Sequence, residues 1–201
     1  MKYKNIIFDY GNTIAAFEPR DIIKKFGIKD EQKITLLCDK AFDRKYWDKL
    51  DSGTLSQEDF VKNVKGDLPP ELHSDAEKIC NGWITQLPYI EGIEKLIERL
   101  KNDGFKLYIL SNISRHFAQN RKETGIFKLF DGLVFSAEIG MVKPDNNIFE
   151  YILNKYSLVP EETVFIDDNA DNINAANRLN IKAYLFDGNA DKAEAFIYGL
   201  L

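Results

Sequence analysis

Three short apolar runs in this sequence each change abruptly to polar residues at their carboxyl ends. The first run ends at Asp9, the second at Ser111 and Asn112, and the third at Asp167 and Asp168. Apolar runs of this length that end in turn-forming residues are typical of buried strands. In a parallel sheet the carboxyl ends of the strands lie at one edge, where ligands bind. The pattern therefore predicts a parallel sheet with a polar site at that edge.

From residue 88 onward, strand-like runs alternate with segments of helical periodicity. Strands are expected at 105–110, 133–135, 163–166 and 183–186, and helices at 90–102, about 115–124, from Pro144 onward and at about 172–179. Strands that alternate with helices of this length are typical of a parallel sheet that helices cover on both faces. The sequence therefore predicts the α/β class, with a doubly wound parallel sheet as its core.

The segment at 17–87 has a different character from the rest of the chain. Its apolar residues recur at helical spacing, and no convincing strand pattern interrupts it. Ser56 and Asp59 resemble a capping box that opens one of its helices. We therefore expect an α/β core formed by residues 1–16 and 88–201, with a small all-helical domain inserted at 17–87.

Charge, cysteine content and hydropathy narrow the classes of partner and compartment. The net charge of −5 gives no overall attraction for nucleic acid or for anionic membranes, so we expect neither as a partner. Cys38 and Cys80 fit neither a CxxC pair nor a metal motif, which predicts two free buried thiols in a reducing compartment. We find no signal-peptide pattern and no apolar run of bilayer-spanning length. These features predict a cytoplasmic protein, and none of them indicates an oligomeric state.

The acidic residues at the predicted sheet edge favour a metal site. Asp9, Asp167 and Asp168 would bring three carboxylates together, which is costly unless a cation neutralises them or one carboxyl stays protonated. A few hard oxygen ligands that leave room for a substrate suit Mg²⁺. We therefore expect Mg²⁺ as the cofactor.

Hydrogen-bond donors at the same edge favour phosphoryl chemistry. Ser111, Asn112 and Lys143 would offer a hydroxyl, an amide and an ammonium group to an anion that the carboxylates alone would repel. A metal with such donors stabilises phosphoryl transfer, and an aspartate such as Asp9 can be the nucleophile through an aspartyl-phosphate. Taken singly, each of these residues also fits a turn, a helix cap or a solvated surface. Together and in this order, they favour a site.

Four polar segments of the chain follow one another in a characteristic order. They are Asp9-Tyr10-Gly11-Asn12-Thr13, Ser111-Asn112, Lys143-Pro144 and Asp167-Asp168. In this order and at these spacings they resemble the four motifs of the haloacid dehalogenase-like (HAD) hydrolase superfamily. The resemblance covers nearly the whole chain and implies a Rossmann-like core with a cap domain of the small helical type. The run at 165–173 resembles in particular the sugar-phosphate phosphatases of the alpha-glucose-1-phosphate phosphatase type.

The resemblance implies a set of metal ligands around the nucleophile. Asp9 matches the aspartate that attacks phosphorus and also binds Mg²⁺. The backbone carbonyl of Gly11 matches the second metal contact, and Asp168 matches the direct metal ligand of the fourth motif. Asp167 resembles a residue that acts behind the ligands or through a water molecule.

The resemblance also implies the groups that bind the phosphorylated substrate. Ser111 matches the hydroxyl that holds the transferring phosphoryl group, with Asn112 beside it, and Lys143 matches the lysine that neutralises nucleophile and phosphate. Asn172 falls at a position where relatives often carry another acid. The expected partner is therefore a small phosphorylated metabolite.

Gly11 is the one clear departure from the family pattern. Most phosphatases of the superfamily carry a second aspartate two residues after the nucleophile, which protonates the leaving group and then activates water. Such help is typically worth about 10²–10⁴ in rate. Either another group, from the cap or from the substrate, replaces this aspartate, or the enzyme is slow. Phosphatases of the glucose-1-phosphate type share the Asp-x-Gly-Asn pattern that begins at Asp9.

Three functions fit these residues. The first is a Mg²⁺-dependent phosphatase that forms an aspartyl-phosphate on Asp9. The second is a hydrolytic 2-haloacid dehalogenase that uses Asp9 to attack carbon without a metal, but dehalogenases usually lack the acidic pair seen at Asp167 and Asp168. The third is a catalytically weak protein that binds a phosphorylated ligand, with Gly11 as a sign of decay. The retained acids, Ser111 and Lys143 favour the first.

The predicted cap carries the residues that would select the substrate. Arg44, Trp47 and the turn-like segment at 51–54 would lie where the cap closes over the site. An aromatic ring and an arginine there could contact a sugar and a second anionic group. Such residues are more often part of a cap core or a solvated surface, so both interpretations stay open.

Overall fold

The computed structural model describes residues 2–120 and 125–201 and contains one five-stranded sheet. The order of the strands across the sheet is β3-β2-β1-β4-β5, and every neighbouring pair is parallel. The strands are β1 (Asn5–Phe8), β2 (Lys106–Ser111), β3 (Gly132–Phe135), β4 (Thr163–Asp167) and β5 (Lys182–Leu185). This architecture confirms the predicted α/β class with a parallel sheet.

The first strand, β1, lies at the centre of the sheet. Phe8, its last residue, pairs with Ile109 of β2 on one side and with Ile166 of β4 on the other. All four residues of β1 are buried, as expected for a strand covered on both faces. The residue that follows β1 therefore emerges between the ends of its two neighbours.

Helices pack on both faces of the sheet. The core helices are α6 (Ile93–Asn102), α7 (Arg115–Asn120), α8 (Ser136–Ile139), α9 (Asn146–Tyr156), α10 (Ala170–Arg178) and α11 (Ala190–Tyr198). Ile6 and Phe8 belong to the apolar cluster that includes α6 and α11, whereas Ile7 belongs to the cluster with α9 and α10. This division follows from the alternation of side chains along a strand.

In the sequence, a group of helices with its own apolar core comes between the first strand and the other four strands. They are α1 (Pro19–Lys25), α2 (Glu31–Ala41), α3 (Arg44–Asp51), α4 (Gln57–Gly66) and α5 (His73–Gly82), with short 3₁₀ segments at Pro70–Leu72 and Trp83–Gln86. Leu37, Phe60 and Ile79 are among the residues buried in this second core. We refer to α1–α5 and these short segments as the helical insert. The boundaries at residues 16–17 and 87–88 stay a prediction.

The two connections of the helical insert run side by side. The backbone N–H of Ala16 donates to the carbonyl of Pro88 at 2.9 Å, and the N–H of Ile90 donates to the carbonyl of Ile14 at 2.9 Å. The chain thus leaves the sheet and returns to it at nearly the same place. No helix within 2–120 and 125–201 has both the length and the apolar character needed to cross a bilayer.

Several predicted boundaries differ from the structure. The helix expected over 90–102 begins only at Ile93, because Gly92 before it has a left-handed φ of 81°. Pro144, expected in the first turn of a helix, instead lies two residues before α9, in a turn where the N–H of Asp145 donates to the carbonyl of Val142. The last part of the helix expected at 115–124 lies outside the described residues.

Both cysteines are free thiols, as the sequence predicts. Their burial differs from the prediction of two buried side chains. Cys80 is buried in the core of the helical insert, whereas Cys38 is only half-buried at its border.

Candidate active site

Three strand ends bring the predicted acidic residues together at one edge of the sheet. Asp9 follows β1, and Asp167 is the last residue of β4, with Asp168 directly after it. Carboxylate oxygens of these three residues all lie within 4.8 Å of one another. Ser111, the last residue of β2, is buried at the same edge. The sheet order explains this meeting, because β2 and β4 both pair with β1.

Lys143 lies inside the acidic cluster rather than on the surface. Its Nζ is 2.7 Å from Oδ1 of Asp9 and 2.6 Å from Oδ2 of Asp167, and only 4% of the residue is exposed. Burial alone would lower the pKa of this ammonium group, but the carboxylates of Asp167 and Asp9 raise it above its usual value. Lys143 therefore stays charged and neutralises part of the acidic cluster.

Asp167 has both carboxylate oxygens occupied by donors. Oδ1 accepts from the backbone N–H of Asn169 at 2.8 Å and from Nδ2 of Asn172 at 3.0 Å. Oδ2 accepts from Lys143 at 2.6 Å and from Nδ2 of Asn172 at 3.0 Å. Asp168, in contrast, is exposed at the site. This division makes Asp168 the better candidate for a metal ligand, with Asp167 holding Lys143 in place.

Asn112 anchors the loop that carries Lys143. Its Nδ2 donates to the backbone carbonyl of Lys143 at 2.9 Å, and its Oδ1 accepts from the backbone N–H of Lys143 at 2.8 Å. The amide thus fixes the backbone from which the lysine reaches the cluster. Its predicted contact with the substrate stays a prediction.

The carboxyl of Asp9 is buried between charges of both signs. Burial raises its pKa to about 6, an effect opposed by the charge of Lys143 and increased by the charge of Asp167. Hydrogen bonds from Lys143 and Ser111 act with the lysine charge to favour the carboxylate. A further cation at the cluster would also lower the pKa of Asp9.

The cluster opens into a cavity of about 580 Å³. Its lining combines Asp9, Lys143 and Asp168 with Arg44, Trp47 and Asp51 of the helical insert. A cavity of this size suits a small-molecule ligand. The structure thus brings Arg44, Trp47 and Asp51 to the same cavity as Asp9, whereas residues 52–54 of the turn-like segment do not line it.

The aromatic residues at this cavity form a packed group. The ring of Trp47 lies 5.1 Å from that of Phe17 and 5.0 Å from that of Trp83. The indole N–H of Trp47 donates to the carbonyl of Ala41 at 2.8 Å, which fixes the ring. These contacts give the cavity a rigid aromatic wall.

The model of the haloacid dehalogenase-like hydrolases matches residues 3–180. This chain belongs to that family. The match spans the strands that carry the acidic cluster and the whole helical insert. The resemblance seen in the sequence is therefore confirmed at the level of the family.

Phosphatases are among the relatives of this HAD hydrolase. It is 28% identical to D-ribitol-5-phosphate phosphatase of Bacteroides thetaiotaomicron, with 94% of each chain covered. It is 31% identical to glyceraldehyde 3-phosphate phosphatase of Methanocaldococcus jannaschii, with 84% of this chain and 77% of that protein covered. A HAD family enzyme of B. thetaiotaomicron, solved as a magnesium complex, has the same fold, with a TM-score of 0.74, 20% identity and coverage of 98% and 99%.

Gly11 is not required by the packing of this HAD hydrolase. A Cβ at this position would meet no atom within 4 Å, and the backbone there is not left-handed. The loop has room for a side chain, so steric hindrance does not explain the glycine. Any acid–base help must therefore come from another group, either of the protein or of the substrate.

One charged residue at the cavity was not recognised from the sequence as a reactive group. The sequence predicts Asp51 to lie in a turn-like segment of the helical insert near the substrate, but it does not indicate a perturbed carboxyl there. Burial raises the pKa of its carboxyl to about 7, with Asp9 among the charges that raise it and Arg44 and Lys143 among those that lower it. No local pattern reveals this environment, because it depends on how the insert packs on the core.

Proposed function

We propose that this HAD hydrolase is a Mg²⁺-dependent phosphatase that cleaves small phosphorylated metabolites through an aspartyl-phosphate on Asp9. The observation that carries the proposal is the pairing of Asp9 with Lys143 inside an acidic cluster that opens into a ligand-sized cavity. A carboxylate held by one buried cation next to further acids suits attack on phosphorus in the presence of a metal.

The donor set around Asp9 fits a small hard cation. Asp9 and Asp168 would supply carboxylate oxygens, and Gly11 its backbone carbonyl, while the oxygens of Asp167 already accept hydrogen bonds. Oxygen ligands of this kind suit Mg²⁺. When bound there, Mg²⁺ neutralises charge on the phosphoryl oxygens.

The protein's own residues then divide the reaction between them. A carboxylate oxygen of Asp9 attacks phosphorus, and the bond to the ester oxygen breaks. Lys143 offsets the negative charge of Asp9 and of the phosphoryl group. The hydroxyl of Ser111, which donates to Asp9 in this structure, would turn to donate to a phosphoryl oxygen. Water then cleaves the aspartyl-phosphate and regenerates Asp9.

The cavity and the relatives together support a proposal for the substrate class. Two relatives are phosphatases of a polyol phosphate and of a triose phosphate. Arg44 and the aromatic wall around Trp47 offer an ionic group and a flat face, which suit a hydroxylated carbon chain. We propose a sugar or polyol phosphate, in a reducing cytoplasm suited to the two free thiols. The narrower likeness to alpha-glucose-1-phosphate phosphatases stays a prediction.

A panel of phosphate esters tests the proposal. Phosphate release from ribitol 5-phosphate, glyceraldehyde 3-phosphate and glucose 1-phosphate is measured with Mg²⁺ and with EDTA, for the wild type and Asp9→Asn. We expect turnover of at least one ester with Mg²⁺ only, and none by Asp9→Asn. Asp191→Asn, at an exposed position of α11, is the matched control and keeps wild-type turnover.

Two results would contradict the proposal. One is full phosphate release by Asp9→Asn in the presence of Mg²⁺, which would exclude the aspartyl-phosphate. The other is chloride release from a 2-haloacid in EDTA without phosphatase activity, which would favour the dehalogenase reaction.

A further inference from the structure

We propose that Asp51 of the helical insert donates a proton to the leaving oxygen, the function for which Gly11 has no side chain. The inference rests on the proposed phosphatase activity and adds to it a catalytic residue. In this proposal the general acid, Asp51, belongs to the helical insert, and the nucleophile, Asp9, follows strand β1 of the sheet.

Asp9, Lys143 and Tyr10 also line the cavity, but each has another role or position. Asp9 is the nucleophile, and Lys143 is ion-paired to Asp9 and to Asp167. Tyr10, next to Gly11 in the sequence, is buried with its ring 5.1 Å from both Phe117 and Phe127, in the apolar core.

The backbone of Asp51 is docked on the α/β core. Its carbonyl accepts a hydrogen bond from Oγ of Ser136 at 2.6 Å, and Ser136 itself is fully buried. Two residues later, Gly53 adopts a φ of 71° and approaches the core so closely that a Cβ there would lie 2.5 Å from the carbonyl oxygen of Ala137. The end of α3 is therefore fixed against the junction of β3 and α8.

Asp51 lines the same cavity as Asp9. The residue is partly buried, and the charges that act on it are Arg44 and Asp48 from α3 and Asp9 and Lys143 from the core. Its pKa of about 7, raised by burial, keeps a protonated fraction near neutral pH. A general acid works best when its pKa lies near the working pH.

The carboxyl group of Asp51 can account for both proton transfers of the reaction. As the P–O bond to the substrate breaks, phosphorus bonds to Asp9 and the Asp51 proton moves to the leaving oxygen, which departs as an alcohol. The Asp51 carboxylate then takes a proton from the water that attacks the aspartyl-phosphate. Inorganic phosphate leaves, Asp9 is again a carboxylate, and Asp51 is again protonated.

Leaving-group dependence tests the inference. A p-nitrophenolate leaves without protonation, whereas an alkoxide does not, so only alkyl esters need the acid. We expect Asp51→Asn to lower kcat/KM for an alkyl phosphate by about 10²–10⁴, and to change kcat/KM for p-nitrophenyl phosphate only a few-fold. Asp39→Asn, at an exposed position of α2 in the helical insert and not in the lining of the cavity, is the matched control and keeps the wild-type ratio of the two values.

A second variant separates chemistry from folding. Because Gly11 has room for a side chain, Gly11→Asp can restore an acid from the core. We expect the double variant Gly11→Asp, Asp51→Asn to have a kcat/KM for the alkyl phosphate at least tenfold higher than that of Asp51→Asn alone.

The outcomes distinguish this inference from the phosphatase proposal. If Asp51→Asn loses kcat/KM equally for both esters, or loses none for either, Asp51 is not the general acid. The phosphatase proposal still stands in that case, provided that Asp9→Asn releases no phosphate. A wild type that releases phosphate from neither ester would overturn the phosphatase proposal, and this inference with it.

Discussion

The hydroxyl of Ser136 connects the α/β core to the helical insert, because its Oγ donates to the backbone carbonyl of Asp51 over 2.6 Å. The same oxygen accepts from the backbone N–H of Ile113 at 2.9 Å. Both partners lie far from Ser136 in the sequence. One buried side chain thus ties the loop after β2 to the end of α3.

Ser136→Ala should weaken both the fold and the docking of the insert. The substitution leaves the Ile113 N–H and the Asp51 carbonyl without this partner, which we expect to lower the free energy of unfolding by about 1–3 kcal/mol. Urea unfolding measures this loss, and kcat/KM for an alkyl phosphate should fall as well. Ser114→Ala is the control, because Ser114 is also buried and accepts a hydrogen bond from the N–H of Phe117 in its own segment of the core. A fall in kcat/KM for both variants would contradict a specific role of Ser136 in docking.

Gly53→Ala should disturb the same contact from the other side. A Cβ at Gly53 meets the Ala137 carbonyl oxygen at 2.5 Å, whereas Gly27 has a similar positive φ of 85° and no atom within 4 Å. Gly27→Ala should therefore cost only the strain of the left-handed backbone, about 1–2 kcal/mol. Gly53→Ala should cost more in urea unfolding and should alone lower kcat/KM. Equal effects of the two variants would exclude the close approach as their cause.

Lys143→Met should be strongly destabilising. It removes the cation between Asp9 and Asp167 and leaves two buried carboxylates unpaired, a change that typically costs about 3–5 kcal/mol. Thermal or urea unfolding in EDTA measures the loss, and phosphate release should disappear. Lys192→Met removes an exposed ion pair with Asp187 and should change the free energy of unfolding little. A loss of similar size in both variants would contradict the structural role of the buried lysine.

The raised pKa of Asp51 predicts a pH dependence of stability. Between the ordinary value of 3.8 and about 7, the folded protein holds a proton on this carboxyl that the unfolded chain has released. Stability contributed by Asp51 is therefore present at about pH 4 and is lost as the pH rises to about 7. Asp51→Asn should gain stability relative to the wild type across this window, as measured by urea unfolding in EDTA. A difference between the two proteins that does not vary with pH would contradict the shift.

Much of the fold and of the acidic cluster could be predicted from local patterns. Apolar runs with polar ends are properties of short segments, and they located Asp9, Ser111 and Asp167 at one sheet edge. The start of α9 was predicted wrongly at Pro144, because the backbone turn that delays it does not show in residue type. The sequence also could not predict that Lys143 is buried between Asp9 and Asp167, because this burial depends on strands that are far apart in the chain.

The reactivity of Asp51 could not be predicted for the same reason. Its neighbours Ser136 and Lys143 lie 85 and 92 positions further along the sequence, and only the docking of the insert brings them close. Sequence patterns within a short segment therefore cannot predict such a contact.

The position of β1 between two paired neighbours has a consequence for motion. Amide hydrogens of a central strand exchange with solvent mainly through global opening, whereas a unit with its own small core can open locally at a lower free energy. Asp9 extends from the former and Asp51 from the latter. Deuterium uptake should therefore be slowest at β1 and faster across α3. The two carboxyl groups would then belong to parts of the protein that open at different free energies.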